Sequence, residues 1–456
     1  MNLEELKLKF NESKEIFLDK YFEILKFKTE SAKLDNDLEF TSCANWLQSY
    51  LSQIGFDVEI VSSGVRPVII ATRLCKSPDA KTVLFYNHYD VQPSEPDDQW
   101  LSDPFVPVIR DGRVFARGAQ DNKGQMMAVL TLLKVLHDNQ DFPELNIKLV
   151  IEGEEEIGSS SLVPILSQFE DRLKSDLVIV TDIGFDSYES PSLCLGVRGI
   201  IAFTLKIHTS KIDLHSGVFG GVATNPISVA AKVISSFHDQ SGRVLVDGFY
   251  DDVVSFPEEE LSFFNIEPNP EIVASIITKP LKGGELYMSI GRSRTLRPTL
   301  EINGINSGYS GDGFKTVLPE SSIVKFSIRL VSNQDPKKII SAVNKHVQMV
   351  MPHGVDYALE DKKGAEALLS DPTNPIIKGL LESYKSVFKR DCKFSIEGGS
   401  IPISKNLSEA AGAPVVFIGT ALPNDNIHAP NESYGLDQFE YCYLLAGSIL
   451  NQLSKG

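Results

Sequence analysis

A chain of 456 residues is longer than one hydrophobic core normally grows, so two or more domains are expected. Hydrophobic residues make up 42% of it, yet no apolar run is long enough to cross a bilayer. A formal charge of −17, from 44 basic and 61 acidic residues, argues against a nucleic-acid partner, which would need a basic surface.

The stretch up to about Gly55 has helical periodicity, with apolar residues recurring through LDKYFEILKF and CANWLQSYLSQIGF. Its start, MNLEELKLKF, has no signal-peptide core. Short apolar runs then alternate with amphipathic ones, the pattern of βα units. The runs VIIATRL, TVLFYNH, IKLVIEGE, LVIVTD and, much later, PVVFIGT read as strands. GQMMAVLTLLKVLHDN and SSSLVPILSQF read as helices. After Cys194 the pattern changes. GVRGIIAFTLKIHTS and IVKFSIRLV alternate apolar and polar, the sign of strands with one wet face, and NPISVAAKVISSF and PKKIISAVNKHVQMV are helical. From about Ser370 the chain returns to helix, then PVVFIGT, then a helix after Gly435.

The expected fold is therefore α/β. A catalytic domain with a largely parallel twisted sheet flanked by helices spans residues 1–195 and 369–456, and a smaller α+β domain is inserted at 196–368. The cysteines Cys43, Cys75, Cys194, Cys392 and Cys442 are scattered, without CxxC spacing. They read as reduced thiols, and the expected location is the cytoplasm.

The strand ends carry the chemistry. TVLFY finishes at His88 and Asp90, residues i and i+2 on one side of a strand. IKLVI runs into Glu152, Glu154, Glu155 and Glu156, LVIV into Asp182, and PVVFIGT into a loop with His428. Asp121, in RGAQDNKG, precedes a long helix. Any one of these alone reads as a capped, solvated strand end. In open parallel sheets, however, sites form outside the carboxyl ends of strands, so the set should converge. Two imidazoles and several carboxylates without a thiolate suit Zn²⁺, Mn²⁺ or Co²⁺, and two ions sharing a carboxylate better than one.

The ordered motifs NHYDVQP, RGAQDNKG, EGEEEIGS, DLHSGVFGG, KTVLP, SIRLV, EGGSIP and HAPNE cover nearly the whole chain. In them the sequence resembles the M20 metallopeptidases, most closely their carnosinase-like dipeptidase branch. The resemblance implies hydrolysis of the amide bond of a dipeptide or short peptide with a free C-terminal carboxylate. Two divalent cations, zinc or alternatively manganese or cobalt, would be held by His88, Asp121, Glu156, Asp182 and His428, with Asp121 bridging. Asp90 would orient His88. The family pattern Glu-Glu-x-Gly fits only Glu155-Glu156-Ile157-Gly158, which makes Glu155 the general base and leaves Glu152 and Glu154 without a catalytic role. A cis peptide is expected at Asp121-Asn122. Substrate contacts carried over are His215, Thr316, Arg329, Gly399 and Ser400, with His215 supplied across a homodimer through the inserted lid domain. One departure is Ile396, where the branch often has arginine. His137, His208, His238, His346 and His353 lack motif context and read as helix-surface, strand-face or turn residues. The competing readings are an N-acyl amino acid deacylase of the same superfamily and an inactive binding protein on this fold. The second would require loss of a ligand or the base, and none is lost.

Overall fold

The computed structural model describes residues 1–62, 66–277 and 283–455. The apolar runs pair into a nine-stranded sheet. Its order is Asp57–Ser62, Pro67–Arg73, Asn146–Glu152, Thr82–His88, Leu177–Thr181, Val415–Ile418, Ser192–Val197 and Leu368–Leu369, with Lys393–Glu397 also pairing along Ser192–Val197. The four central strands, from Asn146–Glu152 to Val415–Ile418, run parallel. The strands joined to either side of this block run antiparallel to it, so the sheet is mixed with a parallel centre. Central strands such as Leu177–Thr181 and Val415–Ile418 are buried at every residue, as a sheet covered on both faces requires.

Successive residues serve the two faces. Val83 and Phe85 join a core with helices Asp37–Gln53, Lys123–Asp138 and Leu436–Lys455, while Leu84 and Tyr86 join a second with Leu162–Gln168 and Ser404–Ala411. The helix Lys123–Asp138 is buried nearly all round, which is why its sequence is apolar on more than one face. Strand Lys393–Glu397 lies in a stretch read as helical, and its short, half-polar sequence explains the miss.

The chain leaves this sheet after Val197 and rejoins it at Leu368. Between them a second sheet forms, in the order Thr299–Asn306, Ser321–Leu330, Gly199–His208, Asp356–Ala365, all antiparallel. Helices Pro226–Ser236 and Pro336–Val350 cover one face, and the cluster they bury is separate from those of the large sheet. Both helices begin at an Asx-Pro pair, where Asn225 or Asp335 accepts from the second helical amide and proline occupies the first turn. No helix among the described residues is long and apolar enough to cross a membrane.

His346 corrects the surface reading of this residue: it is buried, stacked on Phe237 at 5.5 Å, with Nε2 2.9 Å from Ser236 Oγ. Burial lowers its pKa below the ordinary histidine value. A depressed histidine adds stability that is present above its unfolded pKa and is lost as pH falls through the folded one. His346→Met should therefore flatten the acid-side fall in Tm below about pH 6.5, and an unchanged profile by calorimetry would contradict this.

Candidate active site

Register alone gathers the first ligands. His88 is the cross-strand partner of Glu152, and Tyr86 that of Val180, so Asp182, two residues past Val180, lies level with His88. His88 Nε2 stands 3.2 Å from Asp121 Oδ1 and 3.5 Å from Asp182 Oδ1. His428 Nε2 stands 2.9 Å from Asp121 Oδ2 and 3.2 Å from Glu156 Oε2. The two groups, His88–Asp121–Asp182 and Asp121–Glu156–His428, thus share Asp121. Each offers three ligand atoms that lie within 4.8 Å of one another. His88 Nε2 is buried and makes no hydrogen bond despite the carboxylates before it. An orphaned imidazole nitrogen aimed between carboxylates, in an N/O donor set without thiolate, fits a divalent cation such as Zn²⁺, Mn²⁺ or Co²⁺.

Electrostatics point the same way. Burial pushes the Glu155 carboxyl well above the ordinary range; His88 opposes this, and Asp182, Glu156 and Asp90 add to it. Burial also acts to raise Asp121, but the adjacent imidazoles, His428 through its hydrogen bond and His88 through its proximity, outweigh it and hold that carboxyl low. His428 is pushed up to about 10, first by its bond to Asp121 and then by that to Glu156. The cluster on its own draws protons to balance its anions, and cations would take their place.

Polar neighbours fix each group. Asp90 does more than face His88 Nδ1, which lies 3.3 Å from its Oδ1 and 3.1 Å from its backbone oxygen. Its two carboxylate oxygens accept from the amides of Glu155 and Glu156, each at 3.1 Å, so it fastens the glutamate turn to the His88 strand. The Asp121-Asn122 peptide is cis. Asn122 Nδ2 donates to Thr181 O at 2.6 Å and to Asp182 Oδ1 at 2.7 Å. Gln92 Nε2 donates to Glu156 Oε2 at 2.8 Å. Glu154 turns elsewhere and accepts from Arg66 N, Ser161 N and Ser161 Oγ, while Glu152 accepts from Tyr86 and Ser159 hydroxyls. Both are buried structural acids.

Sequence reasoning quoted HAPNE for its histidine and missed its glutamate. Glu432 is fully buried. Its Oε2 accepts from Arg117 Nη1 at 2.8 Å and Gly118 N at 2.9 Å, and its Oε1 from Gln120 N at 2.9 Å and Asp121 N at 3.0 Å. One carboxylate four residues after His428 thus ties that loop to the loop presenting Asp121. The motif was the available signal, but an acid's partners cannot be read from one sequence.

The substrate candidates fall into two groups. Arg329 Nη1 donates to Ser400 Oγ at 2.6 Å, with Gly399 beside it. His215 and Thr316 sit together elsewhere, on the short ladder Leu214–His215 with Val317–Leu318, where Ser216 N donates to Thr316 O at 3.1 Å. Both are exposed, and His215 Nδ1 accepts only from Gly217 N; no hydrogen bond or ion pair among the described residues joins it to the metal groups. Ile396 is buried in the seam between the two sheets, with Val197, Leu296, Val331 and Leu368.

Comparison with known proteins agrees with this geometry. The model of peptidase family M20/M25/M40 matches residues 84–452. The Homo sapiens Beta-Ala-His dipeptidase is 32% identical over 377 residues, covering 80% of this chain and 73% of that protein. The Saccharomyces cerevisiae Cys-Gly metallodipeptidase is 30% identical over 420 residues, covering 87% and 86%. The crystal structure of human carnosine dipeptidase 1 superposes with a TM-score of 0.84 at 26% identity, over 100% of this chain and 99% of that one.

Glu432→Gln would turn an amide NH₂ toward backbone donors. Metal affinity, measured by calorimetric titration of the apoprotein, should fall about ten- to a hundredfold, the usual cost of losing a residue that orients ligands. Unchanged affinity would show that the Asp121 loop holds its shape without this tie.

Proposed function

The chain belongs to peptidase family M20/M25/M40, in its carnosinase-like dipeptidase branch, and from that premise we propose that this metallodipeptidase works with two divalent cations on dipeptides or short peptides bearing a free C-terminal carboxylate. The observation that carries this reading is Asp121, whose two oxygens face His88 and His428 separately. His88, Asp121 and Asp182 would hold one cation, and Asp121, Glu156 and His428 the other. Zinc is the first candidate, with manganese or cobalt as substitutes. When bound, the cations would polarise the scissile carbonyl and acidify a water.

The remaining steps fall to the chain's own side chains. Glu155 takes a proton from the attacking water and returns it to the departing amine. The hydrogen bond that its backbone amide donates to Asp90 Oδ1 sets its position, and its burial keeps the carboxylate basic. Arg329 receives the substrate's carboxylate in its guanidinium fork, with Ser400 Oγ orienting that fork, and Gly399 allows close backbone approach. His215 would donate to the developing oxyanion, with Thr316 beside it. The free thiols are consistent with a reducing, cytoplasmic location.

The unit carrying His215 leads to assembly. We read residues 196–368 as an inserted lid and dimerisation domain. Around His215 and Thr316 lie exposed Ile212, Val218, Val222 and Phe314, the last 98% exposed. The outer strand Thr299–Asn306 carries one charged residue, whereas the opposite edge strand Asp356–Ala365 is rich in charge, the usual protection of an edge. These features support an isologous dimer that uses the Thr299 edge and helix Pro226–Ser236 and lends His215 to the partner's site.

The functional test is a turnover screen of metal-reconstituted protein against dipeptides, tripeptides and N-acyl amino acids. Dipeptides should be the best substrates, and chelation should abolish turnover. Glu155→Gln should retain metal and lose several orders of magnitude in kcat, while Glu154→Gln keeps most of it. Preference for N-acyl amino acids would favour the deacylase reading. For assembly, Glu155→Gln and His215→Ala chains, each nearly inactive, should regain partial activity when co-assembled. A mixed dimer without that gain would place His215 within its own chain or outside the chemistry.

A further inference from the structure

Arg198 lies between the two sheets, immediately before strand Gly199–His208. Its backbone amide donates to Gly399 O at 2.9 Å. Its Nε donates to Gly398 O at 2.7 Å, and its Nη1 lies 3.5 Å from Arg297 O. A single residue thus holds two successive carbonyls of the loop that ends in Ser400. That loop leaves no room for a side chain at Gly398, where a Cβ would stand 2.7 Å from Arg294 O.

Arg329 is the cross-strand partner of Ile200, and Arg198 precedes Ile200 by two residues, so both arginines project on the same face of the sheet. This is the face left open by the two covering helices. Neither guanidinium has a carboxylate within ion-pair distance among the described residues. Glu397, on the same loop, is occupied by the amides of Gly398 and Gly399 and, at 3.9 Å, by Arg294. Burial, then the like charge of Arg329, pushes the Arg198 pKa down to about 10. Glu397 and Glu301 offset part of this repulsion without pairing either guanidinium, and two half-buried cations side by side favour an anion that joins them.

We infer that Arg198 is a positioning residue for the carboxylate end of the substrate: it pins the Gly398–Ser400 loop so that Ser400 Oγ meets Arg329, and it adds a second positive charge to the anion's seat. This rests on the reading of Arg329 and Ser400 as the carboxylate site and deepens it. The catalytic chemistry is left to the other end of the cleft. Loss of Arg198 should therefore act on KM, and only for substrates that carry the anion.

The experiment compares a dipeptide with its C-terminal amide in wild type, Arg198→Gln and Arg198→Lys, with metal content and Tm measured for each. Arg198→Gln should raise KM for the free-carboxylate dipeptide about ten- to a hundredfold, with kcat within about threefold. Its effect on kcat/KM for the amide should be at least about tenfold smaller. Arg198→Lys, which keeps charge but loses the fork, should fall between. Equal losses on both substrates, or a fall in kcat with KM unchanged, would overturn the inference and leave Arg198 a structural hinge residue. If Arg198→Gln does not fold, the same comparison on Arg198→Lys decides. If the wild type prefers N-acyl amino acids, the dipeptidase reading fails. The inference is then judged by the same comparison between an N-acyl amino acid and its amide, since that substrate carries the same carboxylate.

Discussion

Anions packed where water is scarce set the terms for this molecule. Asp90, Asp121, Glu155, Glu156 and Asp182 converge on two imidazoles, and Asp90 and His88 are wholly inaccessible to solvent. Such a cluster would push its carboxyls toward protonation unless cations entered it. The surrounding structure can be understood as what holds these groups in place despite their repulsion. The parallel strands bring His88 and Asp182 level. The Asp90 carboxylate spends its charge on two backbone amides of the glutamate turn, and Glu432 spends its own on three amides and a buried arginine. In both places an acid next to the site is held by fixed donors.

Much of this was legible in the sequence because it is local. A strand that ends in His-x-Asp must present both groups on one side, and strands ending in acids must meet when they run parallel. The convergence of His88, Asp121, Asp182, His428 and the glutamate cluster follows from that rule together with the order of the motifs. The Glu155-Glu156 register came from resemblance, and Glu154 now has a physical reason to stand apart: its oxygens are taken by Arg66 and Ser161. The parts that stayed hidden depend on long-range pairing. Glu432 meets residues more than three hundred positions earlier. Lys393–Glu397 becomes a strand only because Ser192–Val197 lies beside it. His346 lies on an amphipathic helix, where its sequence neighbours gave no sign that Phe237 would cover it.

The antiparallel flanks of the large sheet have a similar explanation. A parallel strand needs a long crossover, whereas Asp57–Ser62 and Pro67–Arg73 are joined by a short connection and can only pair antiparallel. The apolar residues of Pro67–Arg73 are buried like those of the centre, so composition does not separate the two arrangements there, whereas Asp57–Ser62 at the edge has no buried residue.

The two sets of candidate residues are built differently. The two candidate metal groups come from the large sheet and its loops, with His88 buried and His428 exposed. The carboxylate end is assembled across the seam, with Arg198 and Arg329 from the second sheet and Gly398–Ser400 from the first. Contacts between two separate cores are the ones that a relative movement of those cores would alter, while the proton-transfer machinery, held inside one core, would stay intact. On the proposed reading, recognition of the substrate's anion would depend on how the sheets sit against each other, and proton transfer would not.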